Sequence, residues 1–138
     1  MAALIECIPN ISEGRREDVV REIREAAVKA GPGVLLLDST SDHDHNRSVL
    51  TYLGDGPALL GAMTALVEAA LARIDLRTHQ GAHPRLGAVD VIPFVPIRGA
   101  TSADCVACIN ANAGSAANAQ TCATLSATCT AACGFGDG

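Results

Sequence analysis

The sequence predicts an α+β fold of the ferredoxin-like, split βαβ kind: a β-α-β-β-α-β order that builds an antiparallel or mixed sheet with helices on one face. Three observations lead there. Glu17 to Ala30 and Ala58 to Ile74 carry apolar residues at helical spacing. Four short apolar runs flank them: Leu4 to Ile8, Val34 to Leu37, Asn46 to Gly54 and Val89 to Ile97. The second and third runs follow one another with no helix between, which is what splits the βαβ unit.

Taken in order, Leu4-Ile5-Glu6-Cys7-Ile8 reads as a strand ended by the turn residues Pro9-Asn10. The first helix places Val19, Val20, Ile23, Ala26, Ala27 and Ala30 on one face, and Arg21, Arg24, Glu25 and Lys29 mostly on the other. Its acidic first turn suits the helix dipole, and Gly31-Pro32-Gly33 stops it. Val34 to Leu37 is continuously apolar, the pattern of a strand buried on both faces or covered by helices. Asp38 to His45 reads as a long loop to the next strand, where Val49, Thr51 and Leu53 alternate with Leu50 and Tyr52. The second helix lines up Leu59, Leu60, Met63, Leu66, Val67, Ala70 and Leu71. Pro93 and Pro96 make the last run an edge or irregular strand. Thr101 to Ala107 would open a third helix, with Thr101 as cap and Asp104 at the capping-box position.

A chain of 138 residues suits one domain with an adequate core. Hydrophobic residues make up 49% of it, yet with no Trp, one Tyr and two Phe that core must be aliphatic. A net charge of -5 argues against a nucleic-acid partner, while a local Arg cluster leaves a small anionic ligand open. The start of the chain lacks the basic and apolar regions of a signal peptide, and no apolar run approaches the ~20 residues of a membrane span. The expectation is a cytoplasmic protein with reduced cysteines and no membrane partner. All ten Lys and Arg lie between Arg15 and Arg98, and after Cys108 the chain is almost wholly Ala, Asn, Thr, Ser, Gly and Cys. That change of composition divides it into a folded part, 1–108, and a low-complexity tail, 109–138, expected to be poorly ordered or loosely helical.

Two segments concentrate reactive side chains: Asp38 to Arg47, and Arg77 to Gly87. All four histidines fall in them, the usual arrangement of a site built on loops over a scaffold. An imidazole, with an unperturbed pKa of about 6.5, suits proton transfer near neutrality. Gly81 allows close backbone approach, and Pro84 restricts His83 to extended conformations, so His83 is the candidate base. Arg77 and Arg85 flank it and could grip a carboxylate. Plainer readings stand beside these. Either loop could be a solvated turn, and Asp42-His43-Asp44-His45 has the residue types of a zinc or iron site but lacks a further ligand at useful spacing. Cys105-Val106-Ala107-Cys108 is a CxxC without a matching second one. No metal is expected, and a small metal-binding protein using His43, His45, His79 and the late cysteines is the reading from another class.

Four motifs occur in one order: Leu4-Ile5-Glu6-Cys7-Ile8-Pro9-Asn10-Ile11-Ser12-Glu13-Gly14; Asn46-Arg47-Ser48-Val49; Gly81-Ala82-His83-Pro84-Arg85-Leu86-Gly87-Ala88-Val89-Asp90-Val91-Ile92-Pro93-Phe94; and Ile97-Arg98-Gly99-Ala100-Thr101. Over about 105 residues the chain thereby resembles the start of the glutamate formiminotransferase family. The resemblance implies transfer of the formimino group of N-formimino-L-glutamate to tetrahydrofolate, the co-substrate, in histidine degradation. It also implies that His83 is the catalytic acid/base. Asn10, Asn46, Arg77, Arg85 and His79 would bind or position substrate and folate, and Asp38 or Asp44 would orient the imidazole. A homodimer is a further expectation. Family members continue through a complete third helix into a second subdomain, with folate between the two. Here the likeness fades near Cys108, and a frameshifted coding sequence is the expectation for the tail. A non-catalytic folate-binding remnant is therefore the alternative to an active transferase.

Overall fold

The computed structural model describes residues 3–82, 85, 87–103 and 105. Six strands and two helices follow in the order β1 (Leu4–Cys7), β2 (Asn10–Ile11), α1 (Glu17–Ala30), β3 (Leu35–Asp42), β4 (Arg47–Gly54), α2 (Gly56–Arg73), β5 (Val89–Val91) and β6 (Phe94–Arg98). The result is an α+β fold: one antiparallel sheet and two helices.

The sheet is simpler than its strand count. β1 and β2 lie end to end along β4, Cys7 opposite Tyr52 and Asn10 opposite Val49, in one unbroken register. Leu50 N–H donates to the Pro9 carbonyl at 3.0 Å, so the ladder runs through the gap between them. Proline cannot donate in return, which is why the strand is broken there. β5 and β6 form a similar pair along β2 and β1, linked by Ile8 N–H donating to the Pro93 carbonyl at 3.0 Å. Across the sheet the order is β3, then β4, then β1 with β2, then β6 with β5. Placing the last run at the edge matches the prolines in it.

Helix α1 spans the range its periodicity predicts. Its start is held by Glu13, whose Oε2 accepts from the backbone N–H groups of Arg15 and Arg16 at 3.1 Å each. Helix α2 begins two residues earlier than its apolar pattern. Asp55 caps it by accepting from Ala58 N–H at 2.8 Å, and Pro57 fits a first turn that needs no amide. Beyond β6, Ser102, Ala103 and Cys105 are helical and Cys105 N–H donates to the Thr101 carbonyl at 3.2 Å, where a third helix is expected to open. Asp104, residues 106–107 and the tail 109–138 lie outside the described residues.

One side of the sheet packs on both helices. Ile5, Cys7, Ile11, Leu50, Tyr52 and Phe94 meet Val19, Val20, Ile23, Leu59, Met63 and Leu66 in one core. The Tyr52 hydroxyl donates to the Arg24 carbonyl at 3.0 Å, and burial pushes its pKa up, so it remains a donor. Among the described residues no helix covers the opposite side, and two expectations change there. Val34 to Leu37 is not a doubly buried strand: Leu35 and Leu37 are 58% and 55% exposed. Nor is Asp38 to His45 a loop, because β3 pairs with β4 as far as Asp42 opposite Arg47, leaving a four-residue turn at 43–46. Ladder pairing carried the strand through Ser and Thr, which an apolar-run criterion does not count.

Candidate functional site

The turn at 43–46 organises the candidate residues. Asn46 adopts φ 51°, a left-handed conformation that Asn accepts more readily than most residues. Its buried amide joins two distant segments: Oδ1 accepts from Gly14 N–H at 2.8 Å, and Nδ2 donates to the Gln80 carbonyl at 3.2 Å. The Asn46 carbonyl accepts from His79 Nε2 at 3.0 Å, which places the His79 proton on that nitrogen. Two glycines let these segments close up. A Cβ at Gly14 would overlap the backbone of Asp42 and Arg47, and one at Gly81 would overlap the carbonyl of His45.

The two histidine-bearing loops therefore touch. Ala82 N–H donates to the Asp44 carbonyl at 2.9 Å, tying down the residue next to His83 in sequence. His83, Pro84 and Leu86 lie outside the described residues. Asp42 orients the imidazole of His45: its Oδ2 lies 2.7 Å from His45 Nδ1, and its Oδ1 accepts from His45 N–H at 3.0 Å. Those hydrogen bonds from the His45 backbone and ring hold the Asp42 carboxyl below its ordinary pKa. Asp38 is exposed and accepts from the Thr40 hydroxyl at 3.3 Å, and the Asp44 side chain is exposed as well. Arg77 points to solvent in a two-armed pair with Asp75, at 2.9 and 2.8 Å. Asn10 Nδ2 donates to the Ile8 carbonyl at 3.2 Å, and the register puts Asn10 opposite Val49 and Val91 on the uncovered face.

Arg85 sits apart from that solvent layer, its side chain 8% exposed. Nε donates to Ser12 Oγ at 3.0 Å, and Nη2 lies 3.0 Å from Asp90 Oδ2. Ser12 in turn donates from Oγ to the Gly87 carbonyl at 2.6 Å. Burial lowers the pKa of Arg85, Asp90 opposes that, and the nearby Arg47 guanidinium adds to it. Arg47 was not singled out from the sequence as a site residue. It stands in the second motif, and the signal that could find it is register: with Ile11 opposite Ser48, Arg47 falls one step past the end of β2, next to the segment that carries Ser12.

A cavity of about 250 Å³ lies between the start of α1 and the end of α2. Ser12, Glu13, Arg16, Asn46, Arg73 and His79 are among its lining. Its cations are largely matched: Arg16 Nε donates to Glu13 Oε1 at 2.5 Å, and Arg73 pairs with Glu22 and Asp18. Burial alone would raise the pKa of Glu13, but the amides of Arg15 and Arg16 and the Arg16 guanidinium bring it below its ordinary value. Among the described residues no three His, Cys, Asp or Glu side chains are placed to hold a metal ion. No helix among them is long and apolar enough to cross a membrane.

Comparison with known proteins adds the family. The model of the formiminotransferase domain, N-terminal subdomain, matches residues 4–131, a span that runs past Cys108 into the segment of altered composition. A glutamate formimidoyltransferase of Streptococcus pyogenes serotype M1 is 49% identical over 106 residues, covering 77% of this chain and 35% of that protein. A glutamate formimidoyltransferase of Thermoplasma acidophilum is 45% identical over 104 residues, covering 75% and 34%. The formimidoyltransferase-cyclodeaminase of Rattus norvegicus is 40% identical over 111 residues, covering 80% and 20%. The chain spans about a third or less of the length of these curated relatives.

Proposed function

This chain belongs to the formiminotransferase N-terminal subdomain family, and from that premise we propose that it serves transfer of the formimino group from N-formimino-L-glutamate to tetrahydrofolate, within histidine degradation in the cytoplasm. The frame of the reading is ferredoxin-like, supported by the order of β3, β4, β1 and β6 across the sheet and by helices that follow β2 and β4. The observation that carries it furthest is the junction of the two loops, where Gly81 and Ala82 dock on the backbone of Asp44 and His45 immediately before His83.

In this proposal His83 is the acid/base. Folate N5 loses a proton as it attacks the amidine carbon, and the glutamate nitrogen gains one as the C–N bond breaks. One imidazole can take the first proton and return it to the leaving nitrogen. Asn10 and Arg85 are the positioning groups on the uncovered face, with His79 and Asn46 bracing the loop that bears His83. Arg77, Asp38 and Asp44 would join them once substrate draws them in. Folded residues to Cys108 and a frameshifted tail belong to the same reading. Sequencing the gene checks the latter, and a shifted frame without family-like sequence would sink it.

The test is formation of 5-formiminotetrahydrofolate by the purified chain, and His83→Ala should lower kcat at least about a hundredfold. Unchanged turnover in that variant would remove His83 from the chemistry. Folate binding without turnover in the parent would favour the non-catalytic remnant instead.

A further inference from the structure

Arg47 and Arg85 reach the same place from segments 38 positions apart in sequence. The ladder sets Asn10 opposite Val49 and Ile11 opposite Ser48, so that Ser12 and Arg47 both lie one step beyond its last pair, and Ser12 Oγ accepts from Arg85 Nε. Alternation along β4 sends Ser48, Leu50 and Tyr52 into the helix-packed core, so Arg47 lies on the other, uncovered face beside Asn10. Asp90 is the carboxylate beside Arg85, its Oδ1 already accepting from Gly87 N–H at 3.1 Å, and Asp42 stands opposite Arg47 on β3 without an ion pair to it.

The donors are also unspent. The atoms Arg47 Nε and Arg85 Nη2 are both buried and have no hydrogen-bond partner among the described residues, although Nη2 is ion-paired with Asp90 Oδ2 at 3.0 Å. Among the described residues Arg47 makes no ion pair at all. A buried guanidinium N–H left without a hydrogen bond costs the folded state the desolvation of that group. The Arg47 guanidinium adds a repulsive contribution at Arg85, smaller than the effects of burial and of Asp90. Such an arrangement lowers stability and improves binding when an anion completes it.

We infer that Arg47 and Arg85 together form a carboxylate-binding site on the uncovered face of the sheet, with Arg47, the last residue of the first histidine segment, as a positioning residue. The inference rests on the formimino-transfer reading for its natural ligand, since both N-formimino-L-glutamate and the glutamate tail of folate offer a carboxylate. A planar carboxylate suits two guanidinium groups, because each can give it a pair of parallel N–H bonds.

Glutarate, a dicarboxylate without a formimino group or a pterin, tests the site apart from that reading. The 138-residue chain and its Arg47→Met and Arg85→Met variants are titrated with glutarate and melted with and without it, Arg21→Met serving as control. Glutarate should stabilise the parent, and Arg47→Met should weaken its binding at least about tenfold. Without ligand, Arg47→Met should melt at least about 2 °C higher than the parent, because a buried repulsive cation is gone. A merely structural arginine would do the reverse. No binding of glutarate to the parent, or a lower melting point or loss of folding in Arg47→Met, overturns the proposal.

The same titration with N-formimino-L-glutamate, and with tetrahydrofolate carrying or lacking its glutamate tail, assigns the carboxylate to one substrate or the other. Either assignment supports the site. If the parent binds glutarate through Arg47 yet transfers no formimino group, the functional reading fails and the site stands. If it transfers formimino groups and Arg47→Met changes neither binding nor KM, the site fails and the function stands.

Discussion

The two faces of the sheet are built from the same strands and have opposite chemistry. On the helix side Ile5, Cys7, Ile11, Leu50 and Tyr52 are wholly or almost wholly buried, and Tyr52 spends its hydroxyl on the Arg24 carbonyl. On the other side the same strands present Asn10, Asp38, Arg47 and Thr51 beside exposed Leu35, Leu37 and Val91. A strand alternates its side chains, so a single segment can serve a core and a site at once. The helix-packed face spends its polar groups internally, whereas the uncovered face keeps buried guanidinium donors in reserve. Stability resides on one side and unspent binding capacity on the other.

Neighbouring residues of β4 offer the sharpest way to break this contrast. Leu50→Ala should cost about 2–5 kcal/mol, because it empties a fully buried position, while Thr51→Ala should cost about 0.5 kcal/mol. Urea unfolding of both variants checks the pair, and equal costs would mean that the two faces are not distinct. Next in size is Glu13→Gln, expected to cost about 1–3 kcal/mol through the amides and guanidinium that the carboxylate now satisfies. Its pH dependence has a definite sign. The folded-state pKa of Glu13 lies below its ordinary value, so the contribution is complete above that ordinary value and is lost as pH falls through the lowered one. Melting the parent and Glu13→Gln across the acid range should show their difference shrinking toward low pH, and a difference that grows there would contradict the assignment.

Smaller effects sharpen the comparison further. Asp55→Ala removes the cap of α2 and should cost about 1 kcal/mol, with Asp55→Ser recovering most of it. Leu37→Ser on the uncovered face should change stability by no more than about 0.5 kcal/mol. A loss well above 1 kcal/mol in Leu37→Ser would show that this face is covered in the isolated chain.

The helices were the most legible part of the fold. The apolar residues of α1, Val19, Val20, Ile23 and Ala27, recur at a spacing that local geometry imposes, and the helix spans the predicted residues. β3 was harder, because only Leu35, Leu36 and Leu37 of it belong to the apolar run and the rest, Asp38 to Asp42, become strand by pairing with β4. The candidate site divided in a similar way. Loops rich in His, Gly and Pro could be located from their residue types, and their contact near Asn46 follows from small or flexible residues at Gly14, Gly81 and Asn46. Which carboxylate meets which imidazole could not be read off. Asp38, Asp42 and Asp44 are equivalent in a list of residues, and the turn at 43–46 puts Asp42 on His45.

Sequence by itself determined the composition of the core, the two helices, the motifs that mark the family and the gathering of every histidine into two segments. These are properties of local spacing and residue type, set by the period of a helix or strand and the chemistry of a side chain. Tertiary structure alone decided that one face of the sheet carries no helix among the described residues, that β1 and β2 make one interrupted strand, and that Arg85 meets Ser12 next to the end of the β2–β4 ladder where Arg47 stands. The physical reason is register. Pairing between strands far apart in sequence sets the neighbours of each side chain, and a shift of one residue would have sent Arg47 into the core and Ser48 to the open face.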